Sequence, residues 1–101
     1  MAENSVVTKM LEISNAHISE ETSNWLDNEI NNENSVLVVY QKKQYGWFIS
    51  LPEDLVAGEE DYITVPEDLI RIIEFAKSEN CTWVMLDRDA MIILELPIFD
   101  W

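Results

Sequence analysis

The stretch CTWVMLDRDAMIILELPIFDW, residues 81–101, decides how this chain is expected to fold. It contains two apolar runs separated by the acidic turn Asp87-Arg88-Asp89. The first run, residues 82–86, predicts a strand at the centre of a small sheet. The second, residues 91–94, predicts a further strand that ends before Pro97. The last fifth of the chain is therefore expected to supply both the central strand of the sheet and the final strand.

Two helices are predicted from capping signals and apolar periodicity. Ser19 is well placed as the N-cap of the first helix, with Glu20 and Glu21 in its first turn, where the helix dipole favours negative charge. The second helix is expected to start at Pro66 and to end near Asn80, with apolar residues at i, i+3, i+4 and i+7 between them.

Three more strands are predicted upstream of the last stretch, at residues 8–14, 35–40 and 45–51. The run at 35–40 is almost continuously apolar, which is typical of a strand buried on both faces. Gly46 lies inside the next strand and indicates a bulge or the close approach of another backbone.

The resulting order β-α-β-β-α-β, with an extra C-terminal strand, predicts an α+β fold of the ferredoxin-like, two-layer sandwich kind. Both helices should then cover one face of an antiparallel sheet. Another α+β arrangement with the same element order is the alternative. At 101 residues the chain is long enough for one core, so residues 1–101 are expected to form a single domain in which 1–7 are a loose lead-in.

The net charge of −14 is unevenly distributed. Residues 1–50 carry seven acids and three bases, whereas residues 51–101 carry thirteen acids and three bases. Such a surface repels phosphate backbones, so direct binding to nucleic acid is not expected, and it steers a protein toward basic partners. The alternative is that the charge serves solubility alone.

Metal and nucleophilic chemistry have little support in the sequence. His17 and Cys81 are the only soft ligands and neither has a partner at ligand spacing, so we expect no metal site and no cofactor. Asp87 and Asp89 could hold magnesium, but aspartates in a tight turn are expected for local hydrogen bonding, with Arg88 partly neutralising both. A lone buried cysteine fits the reducing cytoplasm, and no apolar run is long enough for a membrane span.

The strongest signal outside the core is an acidic stretch at residues 53–68 that contains no base. Closely spaced carboxylates can replace phosphates as partners of Lys and Arg, because both form charge-assisted hydrogen bonds. Exposed aromatic residues beside charges are common interface anchors. The predicted partner-binding residues are therefore Glu53, Asp54, Glu59, Glu60, Asp61, Trp47, Asp87, Arg88, Asp89 and Trp101.

Five short motifs, taken together, resemble a family of small uncharacterised acidic bacterial proteins, a domain of unknown function often encoded on plasmids, phages and other mobile elements. The resemblance spans residues 11–101, with Ala90-Met91 standing where the family is expected to have Gly-Pro. The motifs are residues 13–18 (ISNAHI), 25–27 (WLD), 45–48 (YGWF), 86–89 (LDRD) and 96–101 (LPIFDW). The resemblance implies no reaction or cofactor, but it implies a setting in which small acidic proteins act against host defence systems.

The leading hypothesis is a non-enzymatic binding protein, monomeric or homodimeric, that occupies the basic groove of a nucleic-acid-handling enzyme. Inhibitors of CRISPR nucleases or restriction enzymes that imitate nucleic acid work in this way. One alternative is an immunity or antitoxin partner of a single cognate toxin. The other is a small metal-dependent enzyme that uses Asp87 and Asp89.

Overall fold

The computed structural model describes residues 7–30, 32, 37–51 and 64–101. Two helices and four strands follow one another there in the order β-α-β-β-α-β, as the sequence predicted. A 3-10 turn at Asn15–His17 joins the first strand to the first helix. The elements are β1 (Met10–Ser14), α1 (Glu20–Glu29), β2 (Val38–Lys42), β3 (Gly46–Ser50), α2 (Glu67–Ser78) and β4 (Trp83–Asp87).

The four strands form one mixed sheet in the spatial order β1-β4-β3-β2. β4 pairs with β3 in the antiparallel sense and with β1 in the parallel sense, with Met10 opposite Trp83. The expected all-antiparallel sheet is therefore wrong, because the first and last strands lie side by side and run in the same direction. The fold is α+β with a four-stranded mixed sheet and two helices, and a ferredoxin-like strand order is not confirmed.

The extra strand predicted at residues 91–94 does not form. One ladder-like bond exists, from the Ser14 N–H to the Met91 carbonyl at 2.9 Å. The next N–H available on this side, that of Ile93, donates to the side chain of His17 at 3.0 Å instead of to a strand. The segment therefore leaves the sheet after a single bond.

Both helices pack on one face of the sheet. Strand register places Leu86 between Ile13 and Trp47, and Val84 beside Ile49, all on the same side. These residues belong to one buried cluster that also includes the apolar stripes of the two helices. The helix residues in that cluster are Leu26, Leu69, Ile72, Ile73 and Ala76.

In the described residues, no helix covers the opposite face of the sheet, which corrects the prediction for the strand at residues 35–40. Val38 and Tyr40 of β2 are exposed, so this strand is buried on one face and not on both. Trp83 also lies on the open face, where its ring stacks on that of Tyr40 with 6.0 Å between centroids. Trp83 is half-buried there, outside the helix-covered core.

The two helix N-termini are joined by Asp68. Ser19 caps α1 as predicted, since its Oγ accepts the Thr22 N–H at 3.2 Å. The buried carboxylate of Asp68, in the first turn of α2, accepts the Ser19 N–H at 2.7 Å and the Thr22 hydroxyl at 2.6 Å. One side chain thus satisfies donors that helix α1 cannot satisfy internally and fixes the two helices to each other.

Helix α2 ends in a Schellman motif. Asn80 has φ of 64°, and its N–H donates to the Lys77 carbonyl at 3.0 Å. The N–H of Cys81 donates to the Ala76 carbonyl at 2.9 Å, which closes the motif. Cys81 is buried, as expected, and leads directly into β4.

Candidate functional site

Four residues form a row across one end of the sheet, termed the terminal row. Register places Ser14 opposite Asp87, Asp87 opposite Gly46, and Gly46 opposite Lys42. The parallel strands β1 and β4 both end here, and β3 begins here. The segments that follow these strands therefore converge on this end, which is where ligand sites of sheets with parallel strands are usually built.

An ion pair crosses the terminal row above Gly46. Lys42 Nζ lies 2.7 Å from Asp87 Oδ2, and the other oxygen, Oδ1, accepts the Asp89 N–H at 2.8 Å. The hydrogen bond from Lys42 is the main cause, and the Asp89 N–H the second, of an Asp87 pKa below its ordinary value of 3.8. Because Gly46 has no side chain, Lys42 and Asp87 can meet across β3.

Asp87 should make the stability of the fold depend on pH in the acidic range. A carboxyl whose pKa is lower in the folded state stabilises that state above its unfolded pKa, and this contribution is lost as the pH falls through the folded pKa. We expect Asp87→Asn to be less stable than the parent at pH 7, and the difference in free energy of unfolding to shrink below about pH 4. Urea unfolding of both proteins at several pH values measures this difference.

Lys42→Met is the matched variant for the pH experiment. It removes the partner of Asp87 and leaves the carboxyl in place, so it should reduce the same pH-dependent contribution. A constant difference between the parent and Asp87→Asn from pH 7 to pH 3 would contradict the assignment.

Tyr45 connects the hairpin to the turn after β4. The Arg88 N–H donates to the Tyr45 carbonyl at 3.0 Å, and the Arg88 guanidinium lies 4.7 Å from the centroid of the Tyr45 ring. Lys42 Nζ is 5.4 Å from the same centroid. Such cation–π contacts stabilise by about 0.5–1 kcal/mol at exposed sites. Arg88 is thereby fixed in place although more than half of its side chain is exposed.

The C-terminal segment, residues 91–101, is docked along the loop that follows β1. The Phe99 N–H donates to the Ala16 carbonyl at 2.8 Å, and the Trp101 indole N–H donates to the Ile18 carbonyl at 2.7 Å. Trp101 thus packs against its own domain, although its side chain stays 55% exposed.

His17 is the centre of this docking. It is fully buried, its Nδ1 lies 2.8 Å from the Pro97 carbonyl, and its Nε2 lies 3.0 Å from the Ile93 nitrogen. A carbonyl can only accept and an N–H can only donate, so Nδ1 carries the proton and Nε2 accepts. One imidazole therefore binds the C-terminal segment at two points.

Two shallow cavities flank the terminal row, and Asn15 lines both. The larger has a volume of about 330 Å³, is open to solvent, and is lined by residues from three separate parts of the chain. The smaller, of about 160 Å³, lies between α1 and the hairpin. The larger cavity is lined by Ser14, Asn15, Ala16, Arg88, Phe99, Asp100 and Trp101.

The predicted site residues separate into three groups. Asp87, Arg88, Asp89 and Trp101 do come together at this end of the fold. Trp47 does not act as an exposed anchor: it is 8% exposed, it faces the helices, and its indole N–H donates to Asp27 at 2.9 Å. The remaining predicted residues lie outside the described part of the chain, namely Glu53, Asp54, Glu59, Glu60 and Asp61.

The chemistry open to His17, Cys81 and Asp87 is constrained by their positions. Cys81 precedes β4 whereas His17 follows β1; because these strands are parallel, the two side chains lie at opposite ends of the sheet. Both oxygens of Asp87 already have partners. Across residues 7–30, 32, 37–51 and 64–101, no group of three His, Cys, Asp or Glu side chains is arranged to hold a metal ion.

Sequence reasoning missed Lys42, Tyr45 and His17 as parts of this site. Lys42 lies between the predicted strands at residues 35–40 and 45–51, so it was not expected inside a strand. His17 was considered only as a possible metal ligand. Its structural role depends on its contact with the segment around Pro97, and a single sequence does not show that His17 and this segment are neighbours.

The fold and site define a small acidic α+β domain with a docked C-terminal segment. The chain belongs to a family described as "Family of unknown function (DUF5983) C-terminal domain", which matches residues 10–101. No curated protein and no solved structure matches the chain. Neither helix in the described residues is long and apolar enough to cross a membrane.

Proposed function

We propose that this protein is a non-enzymatic binding protein whose acidic surface engages a basic partner. The observation that carries the proposal is the exposed face of α1. Glu20, Glu21 and Asp27 are exposed there, and the helix contains no base. In the described residues, neither Glu20 nor Glu21 takes part in an ion pair. Their charge is therefore available to an incoming cation.

All six basic residues lie outside α1. Lys42, Lys43 and Arg88, half of the six bases, lie at the end of the sheet with the terminal row. Arg71 pairs with Glu67 within α2 at 3.0 Å. The exposed face of α1 is left without cations of its own, and with a net charge of −14 the protein should attract basic surfaces over long distances.

The partner we favour is a nucleic-acid-handling protein of the host cytoplasm, such as a CRISPR or restriction nuclease, whose basic groove would otherwise hold DNA or RNA. Carboxylates can occupy the Lys and Arg side chains that bind phosphates. The resemblance to proteins of mobile elements supports the same setting. In this proposal Glu59, Glu60 and Asp61 also contribute acidic charge.

The test is an affinity capture of host proteins on the immobilised protein at low salt, followed by a salt gradient and binding measurements on each purified candidate. We expect a nucleic-acid-handling protein whose affinity falls at least about tenfold between roughly 50 and 300 mM salt. Nucleic acid should compete with the protein for this partner.

The double variant Glu20→Gln/Glu21→Gln should weaken this binding by roughly fivefold or more. Its matched control is Glu67→Gln/Glu74→Gln, which removes the same charge from α2 and should have a smaller effect. An affinity that does not change with salt would refute the proposal. A toxin as the only specific partner would favour the immunity-type alternative.

A further inference from the structure

The C-terminal segment, residues 91–101, exposes an unusual amount of apolar surface. In the described part of the chain, eight large hydrophobic side chains are exposed, and five of them belong to this one segment. Leu94 is 96% exposed and Met91 79%. The five are Met91, Ile92, Leu94, Ile98 and Trp101. Concentrated exposure of this kind marks interaction sites, whereas scattered single residues do not.

This apolar surface is held in a fixed conformation. Hydrogen bonds attach the segment along its whole length: the Ser14 N–H, His17 Nδ1–H, the Phe99 N–H and the Trp101 indole N–H donate, and His17 Nε2 accepts the Ile93 N–H. A partner would therefore not have to order this segment on binding. Preorganisation of this kind raises affinity because less conformational entropy is lost.

The charges of the segment indicate what kind of partner fits it. The segment contains Glu95 and Asp100, both exposed, and no Lys or Arg; just before it, exposed Asp89 lies 4.0 Å from the Arg88 guanidinium. An apolar centre with an acidic rim is complementary to an apolar surface rimmed by basic side chains. A second copy of this chain would place acids against acids, so self-association through this segment is disfavoured.

The cavity beside the segment adds a receptor for one partner side chain. Phe99, Asp100 and Trp101 form one side of it, and Arg88 and Asn15 are also part of its lining. Its volume of about 330 Å³ accommodates a large side chain. Aromatic anchors in or beside such cavities usually contribute most of the binding energy of an interface.

We propose that residues 91–101 are the apolar anchor of the partner interface, and that the partner is a protein with an apolar surface rimmed by Lys and Arg. This inference rests on the proposed function, because it specifies the surface through which the basic partner is held. The acids of α1 then mainly attract the partner over long range and raise the association rate. The C-terminal segment mainly sets the dissociation rate of the complex.

The test uses three short synthetic peptides and the ¹⁵N-labelled protein. The first peptide is an amphipathic helix of Leu and Lys, the second has Ser in place of Leu, and the third has Glu in place of Lys. We expect the first peptide to shift the amide signals of residues 91–101 on titration, and the second and third peptides to leave these signals unshifted. The dissociation constant follows from the titration curve.

The double variant Leu94→Ser/Ile98→Ser should weaken binding of the Leu-Lys peptide by roughly tenfold. Both side chains are exposed, so its melting temperature should match the parent. The matched control is Val38→Ser, which removes an exposed apolar side chain from the open face of the sheet. It should bind the peptide as the parent does.

Three results would overturn the inference. The first is that the peptide shifts signals of α1 or β2, and that Leu94→Ser/Ile98→Ser binds the peptide as the parent does. The second is that the Leu-Glu peptide binds as tightly as the Leu-Lys peptide. The third is a concentration-dependent dimer in sedimentation that is lost in Leu94→Ser/Ile98→Ser. None of these results contradicts the proposed function. The proposed function fails separately if the affinity of the captured partner changes neither with salt nor with Glu20→Gln/Glu21→Gln.

Discussion

Gly46→Ala is expected to destabilise the fold by at least about 3 kcal/mol, because the added methyl group has no room between β3 and β4. A Cβ on Gly46 would lie 1.6 Å from the Leu86 carbonyl oxygen and 2.6 Å from the Leu86 carbonyl carbon. Both atoms are backbone, so no rotamer change relieves the overlap. β3 and β4 would have to separate at the terminal row.

Separation of β3 from β4 at this point has a second effect. The Lys42–Asp87 ion pair crosses β3 directly above Gly46, so the same displacement should disrupt it. Because small domains are stable by only about 5–15 kcal/mol, a measurable fraction of Gly46→Ala should be unfolded near physiological temperature.

Urea unfolding followed by circular dichroism gives the free energy of unfolding of Gly46→Ala. Ser50→Ala, in the same strand and on the same face, is the matched control and should lie within about 0.5 kcal/mol of the parent. If Gly46→Ala unfolds within about 1 kcal/mol of the parent, the close approach of β3 and β4 is not as described.

His17→Phe is expected to lower the free energy of unfolding by about 2–4 kcal/mol and to release the C-terminal segment. Phenylalanine keeps a planar ring at this buried position and leaves no cavity, so the loss comes mainly from the hydrogen bonds. The Pro97 carbonyl and the Ile93 N–H both lose their partner.

Hydrogen exchange separates local release from global destabilisation. In His17→Phe the Phe99 amide, which donates to Ala16, should lose protection, while the amides paired between β3 and β4 keep a larger share of theirs. Leu94→Ser is the control within the same segment, and because Leu94 is 96% exposed it should change neither stability nor protection. Full protection of Phe99 in His17→Phe would show that the segment is held by other contacts.

Local signals in the sequence were sufficient for the helices and their ends. Ser19, followed by two acids, specified the start of α1, and an apolar stripe specified the buried face of α2. These features depend on residues within one or two helical turns of each other, so they can be read from a single sequence. Gly46 was likewise recognised from its chemistry, because a glycine inside a strand indicates a close approach of another backbone, and the Leu86 carbonyl is that neighbour.

Strand partners could not be predicted in the same way. Periodicity shows that a segment is a strand, but it does not show that β1 lies beside β4 rather than β3. The apolar run at residues 91–94 has the composition of a strand, but its Ile93 N–H donates to His17, far away in sequence, and not to a strand. Trp47 was predicted to bind a partner, but its contact with Asp27 of α1, far away in sequence, places it on the helix-covered face.

The parallel pairing of β1 with β4 also has a consequence for how the chain folds. The β2–β3 hairpin and both helices can form from nearby residues, but β1 has no partner in the sheet until β4 is in place. Joining the two requires closing a loop that includes nearly the whole domain, and docking of residues 91–101 on the loop after β1 depends on the same closure. We therefore expect a late, rate-limiting step in which the two ends of the domain meet, and a folding rate lower than a helix-rich domain of this size would have.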